Sequence, residues 1–147
     1  MNGRSERLSR LLTIRRLTEE LDRTALAAAL ASVAEVETAV GRQESSITEA
    51  KAAARAALSG GDRIAGLMAE VQSEIAERNR VQLGVLLRVR AAEVGPAMEK
   101  FLESRREHEQ VNQLIENARV ARRLEEDHKS QAAADDWFLS RRTREME

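Results

Sequence analysis

The first third of the chain repeats its apolar residues in steps of three and four. Leu26, Ala29, Val33, Val36, Val40, Gln43, Ile47, Ala50, Ala54 and Ala57 follow this rhythm, and only Gln43 among them is polar. Such spacing is the seam of a coiled coil and predicts one long helix over about 5–58. Many seam residues are alanine, which lets a partner helix approach closely. Upstream, Ile14, Leu17 and Leu21 form a stripe in another phase, and Leu8, Leu11 and Leu12 precede it. The two phases predict a register slip near 22–28.

A second arm carries Ile64, Met68, Val71 and Ile75, then Val85, Val89 and Ala92, in the same three-four rhythm. These predict its inner seam. Around Val81, Leu83, Val85, Leu86, Leu87 and Val89 the apolar residues spread beyond one stripe, which predicts contact with more than one neighbour. From Glu99 to Lys129 the stripe thins. Glu99, Glu103 and Glu107 place like charges four residues apart, marking a solvated face.

Two breakers punctuate the pattern. Ser59-Gly60-Gly61-Asp62 predicts a left-handed helix end followed by an Asp62 N-cap. Gly95-Pro96 predicts a kink or break in the second arm, since proline cannot donate to the Ala92 carbonyl. The expected fold is all-α: a long antiparallel two-helix coiled-coil hairpin over 1–147, with a turn at 59–62 and a second arm over about 62–144. Folding at Gly60-Gly61 places Leu26 near Val94 and Leu8 near Asn112. Residues beyond about Asn117 would then project past the first arm or fold back.

Composition sharpens this picture. Of 147 residues, 24 are alanine and only three are aromatic: Phe101, Trp137 and Phe138. Bulky residues are too few to fill a compact core, so β-sandwich and Rossmann architectures are excluded. There is no cysteine, hence no disulfide framework and no thiolate metal site. The longest apolar run, Ala25–Ala31, is too short to span a bilayer, and no membrane span is expected. Basic and acidic residues number 24 and 25. That balance argues against a dedicated nucleic-acid binder, as does the lack of an aromatic stacking platform.

Candidate chemistry is sparse. His108 and His128 stand twenty apart, not at metal-ligand spacing. No phosphate loop or nucleophile elbow occurs. Asp135 and Asp136 are adjacent, so they diverge on a helix and form no acid/base dyad. The expectation is a non-enzyme with no metal and no cofactor. Trp137, Phe138 and Leu139 form the one bulky exposed cluster, read as a docking anchor with a fold-back plug as the alternative. Arg4, Arg7, Arg10, Arg15 and Arg16, with Arg141, Arg142 and Arg144, make the terminal pole basic.

The spacing Leu8-x-x-Leu11-Leu12-x-Ile14-Arg15, the alanine-rich first arm and the charged second arm resemble the FliJ family. The tail does so too: Gln131-x-x-x-Asp135-Asp136, followed by Arg141-Arg142, is similar to that family's terminal element. The resemblance implies a component of the flagellar type III export apparatus, cytoplasmic and peripherally associated with the inner membrane at the flagellar base. It implies a coiled-coil stalk whose terminal pole enters the export ATPase hexamer. Such a stalk also contacts the cytoplasmic domain of the export gate and escorts export chaperones. By that likeness Leu8, Leu11, Leu12, Arg15, Gln131, Asp135, Asp136 and Arg141 lie at the ATPase-facing pole. Val81, Leu83, Leu86 and Leu87 are then the candidate gate or chaperone surface. The alternatives are a purely structural coiled-coil homodimer or small bundle, and the equivalent stalk of a virulence-type secretion system.

Overall fold

A computed structural model describes residues 2–147 as two helices, α1 (Asn2–Ser59) and α2 (Arg63–Met146). The helices pack against each other as an all-α hairpin, and no strand occurs among the described residues.

The turn follows from its glycines. Gly61 stands at φ 77°, the left-handed region where a Cβ is strained. This lets the Asp62 N–H donate to the Ala57 carbonyl at 3.0 Å and the Gly61 N–H to the Leu58 carbonyl at 3.3 Å. Together these bonds make a Schellman cap, satisfying carbonyls that the end of α1 leaves open. Asp62 then starts α2: its Oδ1 accepts from the Ala65 N–H at 3.1 Å. Helix end, reversal and helix start thus occupy three residues, as the sequence pattern predicts.

The chain divides into two compact units, one of Glu20–Leu102 and one of Met1–Glu19 with Glu103–Glu147. In the first, all ten predicted α1 seam residues from Leu26 to Ala57 are buried or half-buried. The face of α2 that meets them differs from the expectation. Gly66, Ala69 and Ala76 are buried and Ser73 half-buried, followed by Leu83, Leu87, Val94, Ala97 and Phe101. Ile64, Met68, Val71, Ile75, Val85 and Val89 are 51–73% exposed, and Ala92 is exposed too. The reason is steric. A three-residue connection holds the helices close, and α1 offers Ala50, Ala54 and Ala57 there. Small residues of α2 fit that gap, and Ile64 or Met68 would force it open.

The expected register slip is absent. Buried and half-buried positions of α1 run in uninterrupted three-four steps through Leu8, Leu12, Arg15, Glu19, Asp22 and Leu26. Polar Arg15, Glu19 and Asp22 occupy the seam just before and at the start of the expected slip, and Ile14, Leu17 and Leu21 are left exposed. The pairing offset also differs. Gly66 faces Ala57 and the Arg23 guanidinium lies 5.6 Å from the Phe101 ring centroid. Both contacts lie a few residues later in α2 than folding at Gly60-Gly61 implies, because Gly61 and Asp62 are consumed in the turn.

Gly95-Pro96 does not break α2, which is helical throughout Arg63–Met146. Gly95, Pro96 and Ala92 are all exposed, so water can take the carbonyl that the proline leaves without a donor.

By length and composition alone, α1 contains one stretch apolar enough to cross a membrane. The sequence expectation of no span rests on run length alone, and this stretch meets the length. Alanine-rich coiled-coil helices pass the same hydropathy test.

Candidate docking surfaces

In the unit of Met1–Glu19 and Glu103–Glu147, charge holds the helices in register. Arg15 Nη1 lies 2.7 Å from Glu107 Oε2, with both side chains about one-third exposed. His108 Nδ1 pairs with the carboxylate of Glu19, which is buried along with Ser104 and Val111. Leu12 lines a shallow open groove with Asn112, Ile115 and Arg119 of α2. Asn112 thus shares this groove with Leu12, one turn of α1 after Leu8.

Beyond Ile115 every residue of α2 is exposed, and the helix continues to Met146. The tail neither folds back nor plugs the hairpin. Trp137 and Phe138 meet edge to face at 5.2 Å and 77°. The Arg141 guanidinium lies 5.4 Å from the Trp137 ring centroid, and Arg141 also pairs with Glu145 at 3.2 Å. These contacts lie within one helix, so more than half the surface of Trp137, Phe138 and Leu139 remains open.

The eight residues assigned to the terminal pole fall into two groups. Leu8, Leu11, Leu12 and Arg15 are half-buried where the two helices pair. Gln131, Asp135, Asp136 and Arg141 stand exposed on the unpaired part of α2. At 1.5 Å per residue they lie about 18–33 Å along the helix from Arg119. Arg15 is held by Glu107 within the molecule. Arg4, Arg7, Arg10 and Arg16 are exposed, as are Arg142 and Arg144.

The candidate gate surface also divides. Leu83 and Leu87 are half-buried in the α2 seam, whereas Val81 and Leu86 face outward. Val81 and Leu67 flank the heptad stripe of Ile64, Met68, Val71, Ile75, Val85 and Val89, and all of these are exposed. Sequence reasoning assigned most of this stripe to the interior. The usable signal was the parallel run Gly66, Ala69, Ser73 and Ala76, whose small size matches the alanines of α1. The polar seam is a further feature that the apolar pattern alone does not mark, although Arg15, Glu19 and Asp22 keep the heptad phase of Leu26 and Val33.

No group of three His, Cys, Asp or Glu side chains suited to a metal ion occurs among the described residues. The grooves beside Leu12, Gln43 and Val81 are open to solvent. In comparison with known proteins, no family model, no curated protein and no solved structure matches the chain.

Proposed function

We propose that this chain is the coiled-coil stalk of a type III protein export apparatus of the flagellar kind. The observation that carries the reading is the bare end of α2, helical and exposed from Glu116 to Met146, with an aromatic anchor at Trp137-Phe138. A helix that outlasts its partner is an asymmetric probe. Placed in the symmetric ring of an export ATPase hexamer, it contacts one subunit differently from the others and biases which one hydrolyses next.

In this reading the exposed Gln131, Asp135, Asp136 and Arg141 meet the ring, and Trp137 supplies apolar contact. Leu8, Leu11, Leu12 and Arg15 brace the helix where it leaves the hairpin. Val81 and Leu86 remain available to the cytoplasmic domain of the export gate or to export chaperones. The protein works without a cofactor and without catalysis of its own. It acts in the cytoplasm, peripherally at the inner membrane, without a span and without nucleic acid. The same reading covers the stalk of a virulence-type secretion system, and the neighbouring genes distinguish the two.

The test is the hydrolysis rate of the cognate export ATPase with and without this protein, at matched ring concentration. The reading requires stimulation that disappears on truncation after Ser130 and falls in Trp137→Ala. An unchanged rate, together with failure to co-elute with the ring, would sink it.

A further inference from the structure

The outer stripe of α2 has the spacing of a second coiled-coil seam. Met68, Val71, Ile75, Arg78, Gln82, Val85, Val89 and Ala92 alternate in steps of three and four, and each is exposed. An occupant with the same repeat is a helix, because only a helix presents knobs at that interval. A shallow groove lined by Glu74, Glu77, Arg78, Val81 and Gln82 lies midway along the stripe.

We infer that a second copy of this chain packs on this stripe, α2 against α2 in antiparallel orientation, with the two-fold axis at residue 80. The stripe shares no residue with the proposed ATPase-binding end, but the dimer covers Val81 and so leaves that residue closed to a gate or chaperone while it is formed. The register follows from which residues it brings together. Met68 then meets Ala92 of the second copy, Val71 meets Val89, and Ile75 meets Val85. Arg78 meets Gln82, a neutral hydrogen-bonding partner for the charged group in the stripe. On the flank, Glu74 faces Arg88 of the second copy, and symmetry gives this attractive pair twice. At the axis Val81 and Asn79 each meet their own equivalents. A parallel arrangement in register stacks Arg78 on Arg78 in a desolvated layer, so like charge selects the antiparallel partner.

Sedimentation equilibrium of the full chain over a broad concentration range reads the oligomer directly. The expected result is a concentration-dependent dimer. Val71→Glu with Val85→Glu converts it to a monomer with unchanged helix content, because both side chains are more than half exposed in the single chain. Glu74→Arg weakens the dimer by about tenfold, and adding Arg88→Glu restores it.

The absence of native cysteine makes disulfide mapping clean. Ile75→Cys and Val85→Cys proteins cross-link when mixed under oxidation. Neither cross-links alone, because the axis separates equivalent residues by about 15 Å. A wild-type monomer at every concentration overturns the proposal and leaves the stripe to a different protein. A dimer that survives the double glutamate change overturns it too. Self-cross-linking of Ile75→Cys alone shows a parallel pair and overturns the register.

Discussion

Gly61 and Gly66 lie five residues apart and answer to opposite constraints. Gly61 needs its positive φ, and a side chain there is strained whatever the surrounding space. Gly61→Ala is expected to lower stability by about 1–2 kcal/mol, and Asp62→Ala by about 1 kcal/mol through loss of the N-cap. Gly66 is ordinary helix. A Cβ added there would meet the Ala57 Cβ at 3.8 Å, normal contact distance. Gly66→Ala is therefore expected to stabilise by about 0.5–1 kcal/mol. Urea unfolding followed by circular dichroism separates the signs, and stabilisation by Gly61→Ala would contradict the turn geometry described above. His108 is the third instructive residue. His108→Ala removes one partner of the buried Glu19 carboxylate, with an expected cost of about 1–3 kcal/mol. A cost near zero would mean that the pair does not hold this register.

Each helix carries one inner seam, and the two seams are built differently. α1 turns medium and small apolar residues inward through most of its length, then the buried Asp22 and Glu19 and the half-buried Arg15 toward its N-terminal end. α2 buries small residues near the turn and, farther on, Ser104 and Val111 with His108 half-buried. Alanine layers attract without choosing a register, since one alanine fits against another at several offsets. The ion pair of Arg15 with Glu107 and the contact of His108 with Glu19 supply that choice, as polar groups in coiled-coil seams do. The α1 seam from Leu26 to Ala57 was legible because a single apolar stripe runs there. The α2 seam was not, because its bulkier stripe competes with a smaller one, and size rather than hydrophobicity decides which faces a close neighbour. Gly95-Pro96 does not end α2 because a proline ends a helix only where the freed carbonyl lacks an alternative, and Ala92 is open to water.

For the whole molecule, surfaces left without an intramolecular partner are where function is to be sought. Residues 116–146 are exposed along an unbroken helix, so little of the hairpin's packing depends on them. Truncation after Ser130 is expected to leave the unfolding midpoint of the hairpin within a degree or so, because surface residues far from packed features contribute little. Hydrogen exchange in the full chain should be fastest over the same segment, which has no tertiary contacts to protect it. Slow exchange there in the isolated protein would show that another element covers it.

Helical character, the hairpin turn, the α1 seam and the isolation of Trp137-Phe138 are all written locally. Propensity, three-four spacing, a Gly-Gly-Asp cap and scarcity of aromatics each act over a few residues, so they can be read along the chain. The burial of Gly66, Ala69 and Ala76 in place of Ile64, Met68 and Val71 was decided only by the packing. So was the recruitment of Arg15, Glu19 and His108 into the seam. Both depend on how close the two helices come and on which residues then stand opposite. Those are properties of the pair, which neither stretch of sequence contains by itself.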